Sequence, residues 1–346
     1  MNEDQEIPLV RADDALPPSG VIFGNGPVMR EVRRKIERLA GTSLPVLILG
    51  ENGTGKEILA RFLHGISGRS HGPLVKVNCP AIPSALLESE LFGYEKGAFT
   101  GAYGTKPGRV EMAHRGTLFF DEIGELELGL QAKLLQLLQD GEFSRIGARG
   151  NQRIEVRVVC ATNRRLEQEV EAGSFRRDLF YRINVATVQL PPLRERAEDI
   201  PGLVAFFIRI HGIKFDRSVP AISAPTLSLM ETHAWPGNIR QLENLIKRYV
   251  ILGSEDSILE ELESADGSPG HQNTHLRIPS IRSGEILPLK DMMRHASMEL
   301  ERNIILKALQ VNRWNRKQTA QCLRISYRAL LYKIRQAGLN SHTAAP

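Results

Sequence analysis

The chain has 346 residues, too many for one small domain at roughly 100–200 residues each. A hydrophobic fraction of 42% and a charged fraction of 25% suit a soluble globular chain and exclude wholesale disorder, a collagen-like fibre or a low-complexity scaffold. The net charge of +5 is uneven: residues 286–346 hold eleven Lys and Arg against three acids, which leaves −3 on the rest, so an anionic partner is expected for the end of the chain.

No run reaches the ~18 apolar residues of a membrane helix, so no membrane is expected as a partner. The polar start, residues 1–6, is not a secretory signal. Cys79, Cys160 and Cys322 are odd in number and far apart, which fits small core residues in a reducing compartment better than disulfides or a metal site.

In chain order, residues 1–20 read as a short N-terminal tail ending in Pro17-Pro18-Ser19-Gly20. From about 21 to 252, short β-branched runs alternate with longer amphipathic stretches; Val46–Leu49, 74–77 and 156–160 are examples. Near-continuous apolar strands separated by helices predict a parallel sheet covered on both faces, an α/β fold. Residues 253–288 turn polar around Gly267-Ser268-Pro269-Gly270 and read as a linker. His271 and His275 lie in it at helical spacing, but a polar linker is a poor place for a metal cage. Residues 289–346 return to helical periodicity.

The strand at 45–49 leads into Gly50-Glu51-Asn52-Gly53-Thr54-Gly55-Lys56. This is the spacing of a phosphate-binding loop, in the strand-to-helix context that such a loop requires. Its glycines let successive N–H groups point at phosphates, and Lys56 adds a charge for the β- and γ-phosphates. Glu57 stands where the general pattern has a Ser or Thr that helps to hold Mg²⁺. About 65 residues on, Thr117-Leu118-Phe119-Phe120 ends in Asp121 and Glu122, two acids at the edge where ligands of such sheets bind. Asp121 is suited to hold Mg²⁺ through water, and Glu122 to deprotonate an attacking water. Asn163 closes another strand, where it can contact the γ-phosphate or the water.

The segment Gly97-Ala98-Phe99-Thr100-Gly101-Ala102 resembles the six-residue signature of bacterial sigma-54-dependent transcriptional activators, a branch of the AAA+ ATPases. Further phrases resemble the family in the same order: Glu90-Leu91-Phe92-Gly93, Leu190-Pro191-Pro192-Leu193-Arg194-Glu195-Arg196 and Trp235-Pro236-Gly237-Asn238-Ile239-Arg240. The family also has Glu after the loop lysine. The resemblance implies an AAA+ P-loop ATPase core with a parallel sheet over 21–190, a small helical lid over 191–252, and ATP and Mg²⁺ as cofactors. It implies that Asn78 is a switch on Glu122, that Arg176 and Arg182 are arginine fingers for a neighbouring subunit's ATP, and that Arg240 senses bound nucleotide from the lid. It implies contact of the 97–102 loop with sigma-54, assisted by a second loop at 141–155. An aromatic such as Phe99, set among glycines and alanines, is not packed by its immediate neighbours and suits the tip of an exposed loop.

The end of the chain reads as helix-turn-helix. Leu300–Leu309 and Arg316–Leu323 are amphipathic, and Ser326 fits the N-cap of a helix from Tyr327 to Ala337 that Gly338 stops. Leu330 and Ile334 face inward, with Tyr327, Arg328, Tyr332 and Arg335 on the exposed side. Lys317, Arg324 and Lys333 are expected on DNA phosphates. This part resembles the Fis-type module that ends many of these activators. The expected whole is a DNA-bound ATPase that remodels the closed sigma-54 RNA polymerase holoenzyme complex, bound to double-stranded DNA upstream of promoters. It is expected to form a homo-oligomer, dimer to hexameric ring, in a bacterial cytoplasm, nucleoid-associated when bound. With about 20 residues before the core, control is expected from a regulatory protein in trans or from the rest of a longer gene. A replication initiator and a non-remodelling repressor are the rivals, and the intact 97–102 signature separates both from the preferred reading.

Overall fold

The computed structural model describes residues 16–256, 258–259, 261–262, 305, 315–322, 325 and 327–336. The chain divides into two units, residues 1–267 and 268–346. In the first, α1 (Ser19–Phe23) and α2 (Pro27–Ala40) lead into β1 (Val46–Leu49), α3 (Lys56–Gly65) and β2 (Leu74–Asn78). The first helix thus begins inside the segment expected as a tail, because Phe23 is buried at its end. Then follow α4 (Ser84–Phe92), β3 (Gly93–Tyr94), β4 (Lys106–Pro107), α5 (Arg109–Met112), β5 (Thr117–Asp121) and α6 (Leu128–Asp140). The short strands β6 (Glu142–Phe143) and β7 (Gln152–Arg153) form a hairpin ahead of β8 (Arg157–Thr162), α7 (Leu166–Glu171), α8 (Arg177–Ile183) and β9 (Ala186–Gln189).

Five strands form the expected parallel sheet, in the order β2-β5-β8-β1-β9. Successive residues of each central strand point to opposite faces, and both faces are covered. Leu47, Leu118, Phe120, Val158 and Cys160 join one apolar cluster, and Val46, Ile48, Phe119, Val159 and Ala161 join the other. This double burial is why the strands read as continuous apolar runs. Cys79 and Cys160 are buried, and burial pushes the Cys79 thiol up to about 12; Cys322 is exposed. Arg157, also buried, donates to the carbonyls of Leu39 and Ala40 and so satisfies the last turn of α2.

The lid is α9 (Ile200–Phe215), α10 (Ala224–Thr232) and α11 (Asn238–Leu252), packed around Trp235, whose indole N–H donates to the Met230 carbonyl. Its core runs past the expected boundary at 252: Ile258 and Leu262 are fully buried in it. Glu255 anchors this extension by accepting from the N–H and hydroxyl of Ser223 and the hydroxyl of Thr226. Among the described residues, no helix is long and apolar enough to cross a membrane. His271 and His275 lie outside the described residues.

In the second unit, α12 (Arg316–Cys322) and α13 (Tyr327–Gln336) pack through Ala320, Leu330 and Ile334, with Ile305 completing the cluster. Asn315 caps α12, its side-chain oxygen accepting from the N–H groups of Lys317 and Gln318. Lys317, Tyr327 and Arg328 are exposed, and Lys333 is half-buried. Tyr332 and Arg335 lie on α13. Arg324 and the expected cap Ser326 lie outside the described residues.

Candidate functional site

The C-terminal ends of three neighbouring strands build the site. β1 runs into the phosphate loop, β5 into Asp121 and Glu122, and β8, which lies between them, into Asn163. Lys56 opens α3, and its buried side chain folds back over the loop. The ammonium donates to the carbonyls of Gly50, at 3.0 Å, and Glu51, at 3.4 Å, and lies 3.0 Å from a Glu122 carboxylate oxygen. Thr54 is buried and donates to the Glu51 carbonyl.

Glu122 leaves β5 in the left-handed region, at φ 57°. That region is unfavourable for a residue with a β-carbon and is held only where the surroundings dictate it. The turn swings the carboxylate back over the sheet edge. One oxygen faces Lys56 and the other accepts the N–H of Asn163 at 3.0 Å. Asn163 thus meets Glu122 through its backbone N–H. Asn78, at the end of β2, pairs in register with Asp121. The described contacts of Glu122 are with Lys56 and Asn163, not with Asn78.

Burial pushes the Asp121 carboxyl above its ordinary range, against the pull of Lys76. The Lys76 ammonium, unnoticed in the sequence beyond its strand, sits 2.6 Å from Glu57 and 3.6 Å from Asp121. Glu57 is thus tied to β2. Among the described residues no three acidic, His or Cys side chains cluster as a ready-made metal cage; Asp121, at the strand end, offers carboxylate oxygens, the chemistry of a hard divalent cation such as Mg²⁺.

The lid reaches the loop directly. The N–H groups of Ile239 and Arg240 both point at the Gly53 carbonyl, at 3.0 and 3.4 Å. The Glu51 side chain turns to the lid side, where Arg194 pairs with it at 2.7 Å and Asn238 donates to it at 3.1 Å; these bonds hold its carboxyl below the ordinary range. Asn52 contributes its carbonyl to Asn238. Arg176 and Arg182 are exposed and turn elsewhere: Arg176 pairs with Asp178 at 2.6 Å, and Arg182 donates to the Leu138 carbonyl. The structure does not bring either of them to this chain's own phosphate loop.

The 97–102 segment is a turn closed on itself by bonds from Gly97 N–H to the Ala102 carbonyl and from Ala102 N–H to the Phe99 carbonyl. Ala102 is buried at its base, Ala98 is half-buried, and Phe99 and Thr100 are exposed. Phe99 is 47% exposed and meets a partner five residues back, the ring of Tyr94, edge-on at 5.0 Å. The second loop is fastened to the first. Ile146 exchanges backbone bonds with Gly93 and Glu95, and the Arg145 guanidinium joins Glu95 to Glu111.

Three family descriptions match the chain: "Sigma-54 interaction domain" over residues 22–189, "AAA+ ATPase lid domain" over 194–274, and "Bacterial regulatory protein, Fis family" over 298–336. The chain is 44% identical over 324 residues to the regulatory protein AtoC of Escherichia coli, covering 93% of this chain and 68% of that protein. It is 42% identical to the Nif-specific regulatory protein of Azotobacter vinelandii, covering 93% and 59%, and 40% identical to the transcriptional regulator NtrC of Rhizobium meliloti, covering 94% and 71%. The chain thus spans about three fifths to seven tenths of these relatives. Among solved structures, NtrX from Brucella abortus in complex with ADP matches with a TM-score of 0.66 at 32% identity, covering 91% of this chain and 69% of that one. Yeast Hsp104 matches with a TM-score of 0.50 at 18% identity over 70% of this chain and 47% of its own, a likeness of fold.

Proposed function

The chain belongs to the sigma-54-dependent transcriptional activators, with an AAA+ ATPase core and a Fis-type DNA-binding end, and we propose that it uses ATP hydrolysis to remodel the closed sigma-54 RNA polymerase complex. The observation that carries this reading is the exposed Phe99 turn, whose six-residue signature is intact and which is bolted to the second loop on the same body as the phosphate site.

In this reading the N–H groups of Gly50–Lys56 and the Lys56 ammonium take the β- and γ-phosphates. Asp121 would hold Mg²⁺, which when bound would neutralise phosphate charge. Glu122 is held in place by Lys56 and the Asn163 N–H, and takes the proton of the attacking water. Asn78, in register with Asp121 at the end of β2, acts as the switch that holds Glu122 until the γ-phosphate is sensed. Arg240, anchored over Gly53, reads the phosphates from the lid. Arg176 and Arg182 are exposed, so they serve a neighbouring subunit in a ring, where a planar guanidinium stabilises developing phosphoryl charge. The basic end binds DNA upstream of the promoter through Arg328 and its neighbours, and the protein works in the cytoplasm, on the nucleoid. Domain limits near 20, 190, 262 and 288 fit these parts.

The test is transcription from a sigma-54 promoter on a supercoiled template. Open complexes are expected only with hydrolysable nucleotide. ATPase per subunit is expected to rise with protein concentration, and an Arg182→Ala chain mixed with a Lys56→Ala chain to recover activity at mixed interfaces. A rate independent of concentration would sink the ring, and hydrolysis without open complexes would sink the remodelling.

A further inference from the structure

We propose that Asn238 is a positioning residue that latches the phosphate loop to the lid, so that nucleotide in the loop sets the orientation of α11. The latch rests on the nucleotide reading of the loop. Asn238 is fully buried and takes φ 52°, a left-handed conformation that Asn tolerates better than most residues but that still needs a reason. Its amide supplies that reason by joining three segments. The side-chain oxygen accepts the N–H of Leu193, in the connection from sheet to lid, at 2.7 Å. The side-chain nitrogen donates to the Asn52 carbonyl and the Glu51 carboxylate in the phosphate loop, both at 3.1 Å.

The helix that Asn238 opens has unpaired N–H groups in its first turn, as every helix does. Two of them, from Ile239 and Arg240, are satisfied by the Gly53 carbonyl. The phosphate loop therefore caps α11. A peptide of the loop that turns its N–H toward phosphate also re-aims a neighbouring carbonyl, and the carbonyls of 52 and 53 are the ones that the lid holds. Arg194 completes the latch from the same connection by pairing with both oxygens of Glu51. The acids of the site are not part of it: Asp121 ends β5, and Glu122 and Asn163 follow β5 and β8. Loss of the latch should therefore appear as a change in KM more than in kcat.

Three substitutions separate the latch from a structural role. Asn238→Gly accepts the left-handed backbone and deletes the amide. Asn238→Asp keeps the bond from Leu193 and sets a carboxylate against Glu51. Arg194→Met, at an exposed position, leaves Asn238 in place and removes only the guanidinium that pairs with Glu51. In the full wild-type chain, ADP is expected to slow amide exchange in both the phosphate loop and residues 238–252. In Asn238→Gly and Asn238→Asp the loop should still be protected while 238–252 is not, with KM for ATP raised about tenfold and kcat within about threefold. Arg194→Met should raise KM about threefold, which keeps the test open if the buried variants fold poorly. Unchanged KM in all three, with 238–252 still protected by ADP, would overturn the latch. So would parallel losses in kcat and KM with faster exchange throughout, the mark of a merely structural residue. A wild-type chain that binds no ADP would overturn the nucleotide reading, and the latch with it.

Discussion

The phosphate loop and the 97–102 turn are both rich in glycine, and they need it for different reasons. At Gly53 the backbone is left-handed, at φ 80°, and a β-carbon would lie 2.3 Å from the Gly237 carbonyl oxygen. At Gly101 the backbone is also left-handed, at φ 105°, yet nothing lies within 4 Å. One segment is crowded by the lid and tied to it by hydrogen bonds; the other is fastened to the second loop at its base, while its tip at 99–101 is held by its own turn and one ring contact. Few buried contacts and exposed backbone bonds mark a segment of low local stability. The cradle is built to hold still, and the turn is built to move.

The strongest test of that contrast lies in the chemistry. Glu122→Gln should keep nucleotide binding and lose at least about 100-fold in phosphate release, because an amide is not a base. Lys56→Ala should instead weaken nucleotide binding, read by titration with a fluorescent ADP. Turnover of the Gln variant within a few-fold of wild type would remove Glu122 from its role. Phe99→Ala and Thr100→Ala should do the reverse, leaving ATPase within about twofold while open complexes, scored by permanganate footprinting, disappear. If ATPase falls in step with open complexes, the turn is not separable from the cradle.

A gentler comparison uses the glycines themselves. Gly53→Ala meets both strain and a clash and should cost about 3 kcal/mol or more in urea unfolding, whereas Gly101→Ala meets strain alone and should cost about 1–2 kcal/mol. Equal costs would erase the distinction. The second unit, whose exposed basic residues extend the contrast to a surface that works by charge, should show effects of similar or smaller size. Arg328→Ala should lose about 1–3 kcal/mol of operator binding and blur sequence preference. Lys317→Ala should lose less, evenly across sequences, and flatten the salt dependence. Binding insensitive to salt would exclude phosphate contacts at that end.

Much of the sheet was legible because its strands are buried on both faces and so lack polar interruptions, as in Thr117–Asp121. The phosphate loop and the pair Asp121 and Glu122 were legible because their chemistry requires fixed residue types at strand ends. What depended on distant segments was not. The bond from Asn163 comes from its backbone, which any residue supplies, and Lys76 reads as one more polar residue on a strand. Ile258 and Leu262 stand in an acidic, polar stretch, where two apolar residues look incidental until the lid closes over them. The Asn238 amide bridges positions 186 and 187 residues apart, and no local pattern encodes that.

The strand order has a geometric consequence of its own. Because β8 separates β1 from β5, the outlets carrying the phosphate loop and Glu122 stand two strand spacings apart, about 10 Å. A single change of strand order would displace one outlet by about 4.8 Å, more than the 3–3.5 Å or so that separates reacting atoms in a productive complex. The sheet thus serves as a gauge block. Insertions in the connecting helices and loops leave its spacing untouched, whereas a strand added between β1 and β5 would set the water and the phosphate out of reach of each other.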